Sequence, residues 1–184
     1  MTFFTEQLNL LRVNCDRLFN TGDADVSYEE TLQKIKDCHY HHLYLMKYSS
    51  VLNKLLSPVM FLYVIICSLM LCASAIQLTT DGIGNMQRIW IAEYLMALIT
   101  QLFLYCWHSN QVLCMSNEAD RGIYSSKWYT QNTRVRRSLL LLGGQLRKTI
   151  VFTAGPFTKL NIATFVAILK GSYSYYTLLD KKED

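Results

Sequence analysis

The chain has 184 residues, 51% of them apolar and only 17% charged, with a formal net charge of +4. Soluble domains carry about 25% charged residues, so the deficit points to a mosaic of apolar membrane spans and polar segments. The apolar content excludes a disordered chain, and eight Gly and two Pro exclude a collagenous or low-complexity one. Six dispersed cysteines (Cys15, Cys38, Cys67, Cys72, Cys106, Cys114) with no CxxC pair exclude a small disulfide scaffold and leave a zinc or thioredoxin-like site without support.

Residues 1–20 interrupt their apolar pattern with Glu6, Arg12, Asp16 and Arg17, so they hold no continuous apolar signal core. Leu8, Leu11, Cys15, Leu18 and Phe19 recur at helical spacing and predict an amphipathic helix. Asn20-Thr21-Gly22-Asp23 reads as a loop, and Ser27 with Glu30 as a capping box that starts a long helix reaching about Ser57. Residues 59–78 carry no charge and are long enough to cross a hydrocarbon core of ~30 Å, with Pro58 as a kink at the entrance. Asp81-Gly82 and Gly84-Asn85 supply turn chemistry. A second span, 89–108, has Glu93 as its one charge and Trp90 and Trp107 near its ends, where interfacial tryptophans sit.

The connection that follows is basic. Val135, Leu139, Leu142 and Leu146 fall on one helical face of residues 133–148, and Arg136, Arg137, Arg147 and Lys148 fall elsewhere. Such a helix lies on a lipid surface or packs beneath a membrane bundle. Gly143-Gly144 lowers its intrinsic stability, so packing must support it. Ala154-Gly155-Pro156 breaks the chain before a third apolar stretch, 157–179, which contains Lys159 and Lys170. A cation near the middle of a lipid-facing span costs roughly 2.5–3.5 kcal/mol, so this stretch is expected to face protein or water. The first inter-span connection holds one basic residue, Arg88; the second holds Arg121, Lys127, Arg134, Arg136, Arg137, Arg147 and Lys148. Positive-inside logic then places the N-terminus and the second connection in the cytosol and the C-terminus outside.

Several of these residues carry a resemblance. QLFLYCW at Gln101–Trp107, Ser116, Tyr124 and the Trp128-Tyr129 pair resemble the sixth helix and following loop of insect odorant receptors. Arg136-Arg137, Leu139, Gln145 and residues 153–179, with Ala154-Gly155, Leu160, Thr164-Phe165, Leu169 and Ser172-Tyr173-Ser174-Tyr176, resemble that family's final helix. Ser57-Pro58 and Cys67 fit its fifth. The resemblance runs from about residue 28 to 179; Thr149 departs from it, where related receptors often carry proline.

The resemblance implies an all-α membrane protein: three transmembrane helices with long cytosolic helical extensions, the last helix split into cytosolic and pore-lining parts, as a fragment of a seven-helix receptor or a truncated product. The expected organisation is cytosolic helices at 1–57, a transmembrane hairpin at 58–108, a cytosolic connection with an anchor helix at 109–149, and a final pore-lining helix with an extracellular tail at 150–184. It further implies a plasma-membrane subunit of an odorant-gated cation channel, a heterotetramer with an odorant co-receptor, responding to volatile hydrophobic small molecules. The alternative is a truncated, non-conducting subunit that acts as an interaction module. No nucleic-acid partner, cofactor or metal is expected. Without a nucleophile–base pair, a phosphate-binding glycine loop or paired carboxylates, neither is an enzyme.

Site expectations follow. Ala163, Ala167 and Gly171 recur every four residues, a face that continues to Ser174 or Tyr175, Leu178 and Lys182. By spacing it is either a close helix-packing stripe or a conduit with a hydrophobic constriction. The resemblance favours the conduit, with Ser174, Tyr175 and Leu178 at the pore and Leu178 at the gate. Trp90, Tyr94 and Ala97 are either interfacial anchors or part of the odorant pocket, and Glu93 either faces the bundle or snorkels to the outer surface. Trp128, Leu139, Leu142 and Leu146 are expected at subunit contacts. Cys38 and His42 share a helical face, as zinc ligands can, but with no second pair nearby the Cys38–His42 stretch reads as a helix–helix or subunit contact.

Overall fold

Helix follows helix along nearly the whole chain in the computed structural model, which describes residues 1–19, 28–79, 84–156 and 158–180. The elements are α1 (Thr2–Asp16), α2 (Tyr28–Thr79), α3 (Asn85–Asn117), α4 (Arg121–Ser125), α5 (Thr133–Leu146), β1 (Thr153–Ala154), β2 (Thr158–Lys159) and α6 (Ile162–Asp180), with single 3-10 turns at Arg17–Phe19 and Trp128–Thr130. The Asn20–Asp23 loop, the capping Ser27, the Asp81-Gly82 turn and Lys182 lie outside the described residues. Both α2 and α3 contain stretches long and apolar enough to cross a membrane. Only 22% and 11% of those stretches are buried, whereas the core helix of a soluble protein would be mostly covered.

The chain divides into two compact units. The first comprises Met1–Asn53 and Gln111–Val151. Its interior is built from Leu8, Leu11 and Cys15 of α1, Cys38 and Leu45 of α2, Val112 of α3, Ile123 of α4, and Val135, Leu139, Leu142 and Leu146 of α5. Each large aliphatic side chain buried there stabilises the unit by about 1.5–3 kcal/mol. Gly122 lets α4 lie directly on α1: an added Cβ would run into the Arg12 carbonyl oxygen and stand 3.1 Å from Cys15 Cβ. Around this contact Arg12 pairs with Glu118 at 3.2 Å, Arg121 with the same carboxylate at 3.3 Å, and Ser125 Oγ donates to Asp16 at 2.6 Å. Pairs this exposed contribute about 0–1 kcal/mol each, so they orient the contact more than they hold it. The buried N–H of Ile150 donates to Ser116 Oγ at 2.8 Å, which ties the segment after α5 to α3.

The second unit comprises Lys54–Asn110 and Phe152–Asp184. Met60, Cys67 and Leu71 of α2, Leu102 and Cys106 of α3, and Phe152, Ala154 and Leu160 around the hairpin form its interior. α2 continues through Pro58. Beside that proline, Ser57 O accepts a hydrogen bond from Gly155 N at 3.1 Å, and Ser57 Oγ reaches Thr153 Oγ1 at 3.3 Å. Gly155 has φ +68, and a Cβ there would stand 2.7 Å from the Phe61 ring, so conformation and space both require glycine. The hairpin itself pairs Thr153 with Lys159 and Ala154 with Thr158, antiparallel.

That hairpin corrects the extent of the third stretch. Residues 158–159 are spent on strand pairing, and α6 begins only at Ile162, where Asn161 Oδ1 caps it by accepting from Thr164 N at 2.8 Å. α6 is also not among the helices that qualify as spans by composition. Lys170 and the run of serines and tyrosines after it dilute its apolar content.

Candidate functional site

α6 has two sides. On one, Phe165 meets Phe103 of α3 edge-on at 5.4 Å, and the Ser172 carbonyl accepts from Cys72 Sγ of α2 at 3.7 Å. Ile168, Leu169 and Tyr176 are half-buried with them. The opposite side carries Ala163, Ala167, Lys170, Gly171, Ser174 and Leu178, all exposed. Four residues advance about 40° around a helix, so Lys170, Ser174 and Leu178 form one gently winding row at the middle of this arc. Tyr175 borders it. Three of the expected residues, Ser174, Tyr175 and Leu178, are therefore brought together on the exposed side of α6.

The character of that face differs from the other exposed surfaces of the same unit. α2 presents Val59, Leu62, Ile65, Ile66, Leu69 and Met70, and α3 presents Ile89, Trp90, Met96 and Leu104. Those are large and apolar, as a lipid-facing surface requires; the middle of the α6 arc, with Ala163, Ala167, Lys170, Gly171 and Ser174, is small, hydroxylated and once charged, with Leu178 at its end and Val166, Tyr173 and Tyr175 along its borders. Trp90, Tyr94, Ala97 and Glu93 are all exposed along α3.

In the first unit, Leu139, Leu142 and Leu146 are 1%, 3% and 0% exposed, and Trp128 is half-buried in its 3-10 turn. The three leucines are buried in the unit's own interior. The exposed apolar pair of α5 is Leu140 and Leu141, at 58% and 69%. These two lie off the stripe that periodicity picks out. Their adjacency to it in an unbroken LLLL run was the available signal.

Cys38 meets a partner that spacing does not reveal: the Cys15 thiol of α1, with which it shares a hydrogen bond. That bond, then burial, pushes the Cys15 thiol up, so Cys15 stays protonated. His42, one turn on, is 1% exposed. Burial first, then the charges of His39, Lys148 and His41, hold its pKa below the ordinary imidazole value against the opposing pull of a Lys148 backbone hydrogen bond. His41, 3.1 Å from Gln7 Oε1, is lowered by burial as well. The folded unit thus favours neutral His42. Its contribution is complete above the unfolded value of about 6.5 and is lost as pH falls through the lower folded value. The thermal midpoint of the detergent-solubilised chain should fall between about pH 7.5 and about pH 5.5, and His42→Leu should remove most of that fall. An unchanged pH slope in the variant would clear His42 of the effect.

The sequence model of the family described as 7tm Odorant receptor matches residues 1–173. Odorant receptor Or2 of Anopheles gambiae is 30% identical over 146 residues, which cover 79% of this chain and 38% of that protein. Odorant receptor 10 of Aedes albopictus is 30% identical over 138 residues, covering 75% and 36%. The chain thus spans about two fifths of the length of these relatives. Among solved structures, the olfactory receptor OR5 of Machilis hrabei in complex with eugenol superposes with a TM-score of 0.85 at 18% identity, covering 97% of this chain and 45% of that one. That likeness establishes a shared fold.

Proposed function

The chain belongs to the 7tm odorant receptor family, a family of membrane receptors and not of enzymes, and from that premise we propose that it forms the C-terminal part of an odorant-gated cation-channel subunit. In this reading α6 lines the pore, and the first unit anchors the subunit in the cytosol against an odorant co-receptor within a heterotetramer. One observation carries the pore assignment. The exposed faces of α2 and α3 are dominated by large apolar side chains, whereas the exposed arc of α6, bordered by Val166, Tyr173 and Tyr175, has small and polar residues and Lys170 along its middle and one leucine, Leu178, at its end. Water on that arc accounts for both the charge and the small side chains.

The seven basic residues between the second and third spans, against one between the first two, support a cytosolic N-terminus and an extracellular C-terminus at the plasma membrane. Trp90, Tyr94 and Ala97 share an exposed face of α3 with Glu93, which suits dispersion contacts with a volatile hydrophobic ligand once the rest of the receptor closes over it. The complex of the Machilis receptor with eugenol supports a small-molecule ligand here.

Cysteine accessibility tests the pore assignment. With the receptor and co-receptor expressed together, Gly171→Cys and Ser174→Cys should react with a charged, water-borne methanethiosulfonate and change the odorant-evoked current. Phe165→Cys and Ser172→Cys, on the packed side, should not. Reaction on the packed side alone, or no effect at either pair beyond the unsubstituted receptor, would remove α6 from the pore and leave the interaction module.

A further inference from the structure

We propose that Lys170 is the residue through which this subunit discriminates against divalent cations, an inference that rests on the pore-lining reading of α6. Lys170 is the ninth residue of a 19-residue helix, so it stands near the middle of whatever α6 crosses. It is exposed, and it lies one turn from Ser174 and two from Leu178 on the same row. The rise of a helix puts it about 12 Å along the axis from Leu178, well clear of the expected constriction. None of the ion pairs among the described residues involves it. Glu93, the one carboxylate within the expected α3 span, is itself exposed and is not among its partners. An ammonium at mid-span, unpaired among the described residues and in one row with Ser174, has water as its natural solvent.

A fixed positive charge in a narrow aqueous conduit acts on a permeant ion in proportion to that ion's valence. Across a few ångströms, less than the Debye length of about 8 Å at physiological salt, mobile ions screen it poorly. The barrier it adds for calcium is then twice the barrier it adds for sodium, so its presence lowers calcium permeability relative to sodium. Ala167, Gly171 and Ser174 on one flank leave room for an ion to pass at short range, Val166 and Tyr173 border Lys170 on the other, and none of the five offers a compensating negative charge. The alternative role, a snorkelling anchor in lipid, would place Lys170 near a helix end and among the large apolar residues that α2 and α3 expose.

The test measures reversal potentials with calcium or sodium as the external cation, in cells expressing the receptor with its co-receptor at matched surface protein. Lys170→Gln should raise the calcium-to-sodium permeability ratio by about threefold, Lys170→Glu should raise it further, and Lys170→Arg should leave it unchanged. Lys170→Cys gives the same answer within one protein. A cationic trimethylammonium-ethyl thiol reagent should return its ratio toward the unsubstituted value, and an anionic sulfonatoethyl reagent should raise it. Ratios that do not follow the charge at 170, while Ser174→Cys still reacts and alters the current, would overturn the role of Lys170 and leave α6 in the pore. Failure at both positions would overturn both readings together.

Discussion

Leu178→Ser should open the channel at rest. Leu178 is 63% exposed at the end of the Lys170–Ser174 row. If the final helices close together at this level, the isobutyl group is what they bury against each other and what expels water from the conduit. Burying one leucine stabilises the closed arrangement by about 1.5–3 kcal/mol, and each 1.4 kcal/mol is a factor of ten in an equilibrium. Removing it should therefore raise the resting open probability by about tenfold or more, in proportion to how fully the closed state covers it. Leu178→Ala should have a smaller effect than Leu178→Ser, because serine both widens and wets the constriction. Leu169→Ala changes the same kind of group on the packed side of α6 and should lower surface expression without raising resting current. The measurement is current without odorant, normalised to surface protein. A Leu178→Ser receptor with unchanged resting current at normal surface levels would take Leu178 out of the gate.

How far these features were legible in the sequence depends on whether one element or two specify them. The stripe Val135, Leu139, Leu142, Leu146 is a property of α5 alone, and all four positions are buried. What covers them is not a property of α5, so periodicity showed a face that must be packed; the expectation of a subunit contact came from the resemblance, whereas within this chain the face is buried in the first unit. Hydropathy marked residues 89–108, but α3 extends to Asn117, because hydropathy follows the membrane stretch and the helical hydrogen bonds continue past it. The Ala154-Gly155-Pro156 break was readable from local conformational preference. The two-residue strands around it were not, since Ser57 and Phe61 of α2 hold Gly155 in place from nearly a hundred residues away in sequence. The same limit applies at Cys38: its helical face was correct, and the Cys15 thiol across from it belongs to another helix.

α5 also yields a separation between folding and association. Leu139→Asp with Leu142→Asp places two carboxylates in the closed interior of the first unit. Each substitution removes a buried leucine, at about 2–5 kcal/mol, and desolvates a charge besides, against a total stability of about 5–15 kcal/mol for an ordinary domain. That variant should lose the unit altogether: rapid proteolysis, no defined thermal transition, and no co-receptor recovered with it. Leu140→Asp with Leu141→Asp acts on the exposed pair. These side chains touch nothing the unit needs, and Gly144, one turn on and open to solvent, leaves space for another helix to approach closely. The fold should survive with a thermal midpoint near that of the parent chain. Association should not. Two leucines buried at a subunit contact stabilise it by about 3–6 kcal/mol, so their loss weakens co-receptor binding by about a hundredfold or more, enough to abolish co-purification in detergent. Arg136 and Arg137, exposed one turn before the pair, make Leu140→Lys with Leu141→Lys the informative second variant: it concentrates positive charge on the same face and should fail to assemble in the same way. Recovery of the co-receptor at parental levels by a well-folded Leu140→Asp, Leu141→Asp chain would assign the subunit contact to a surface other than α5.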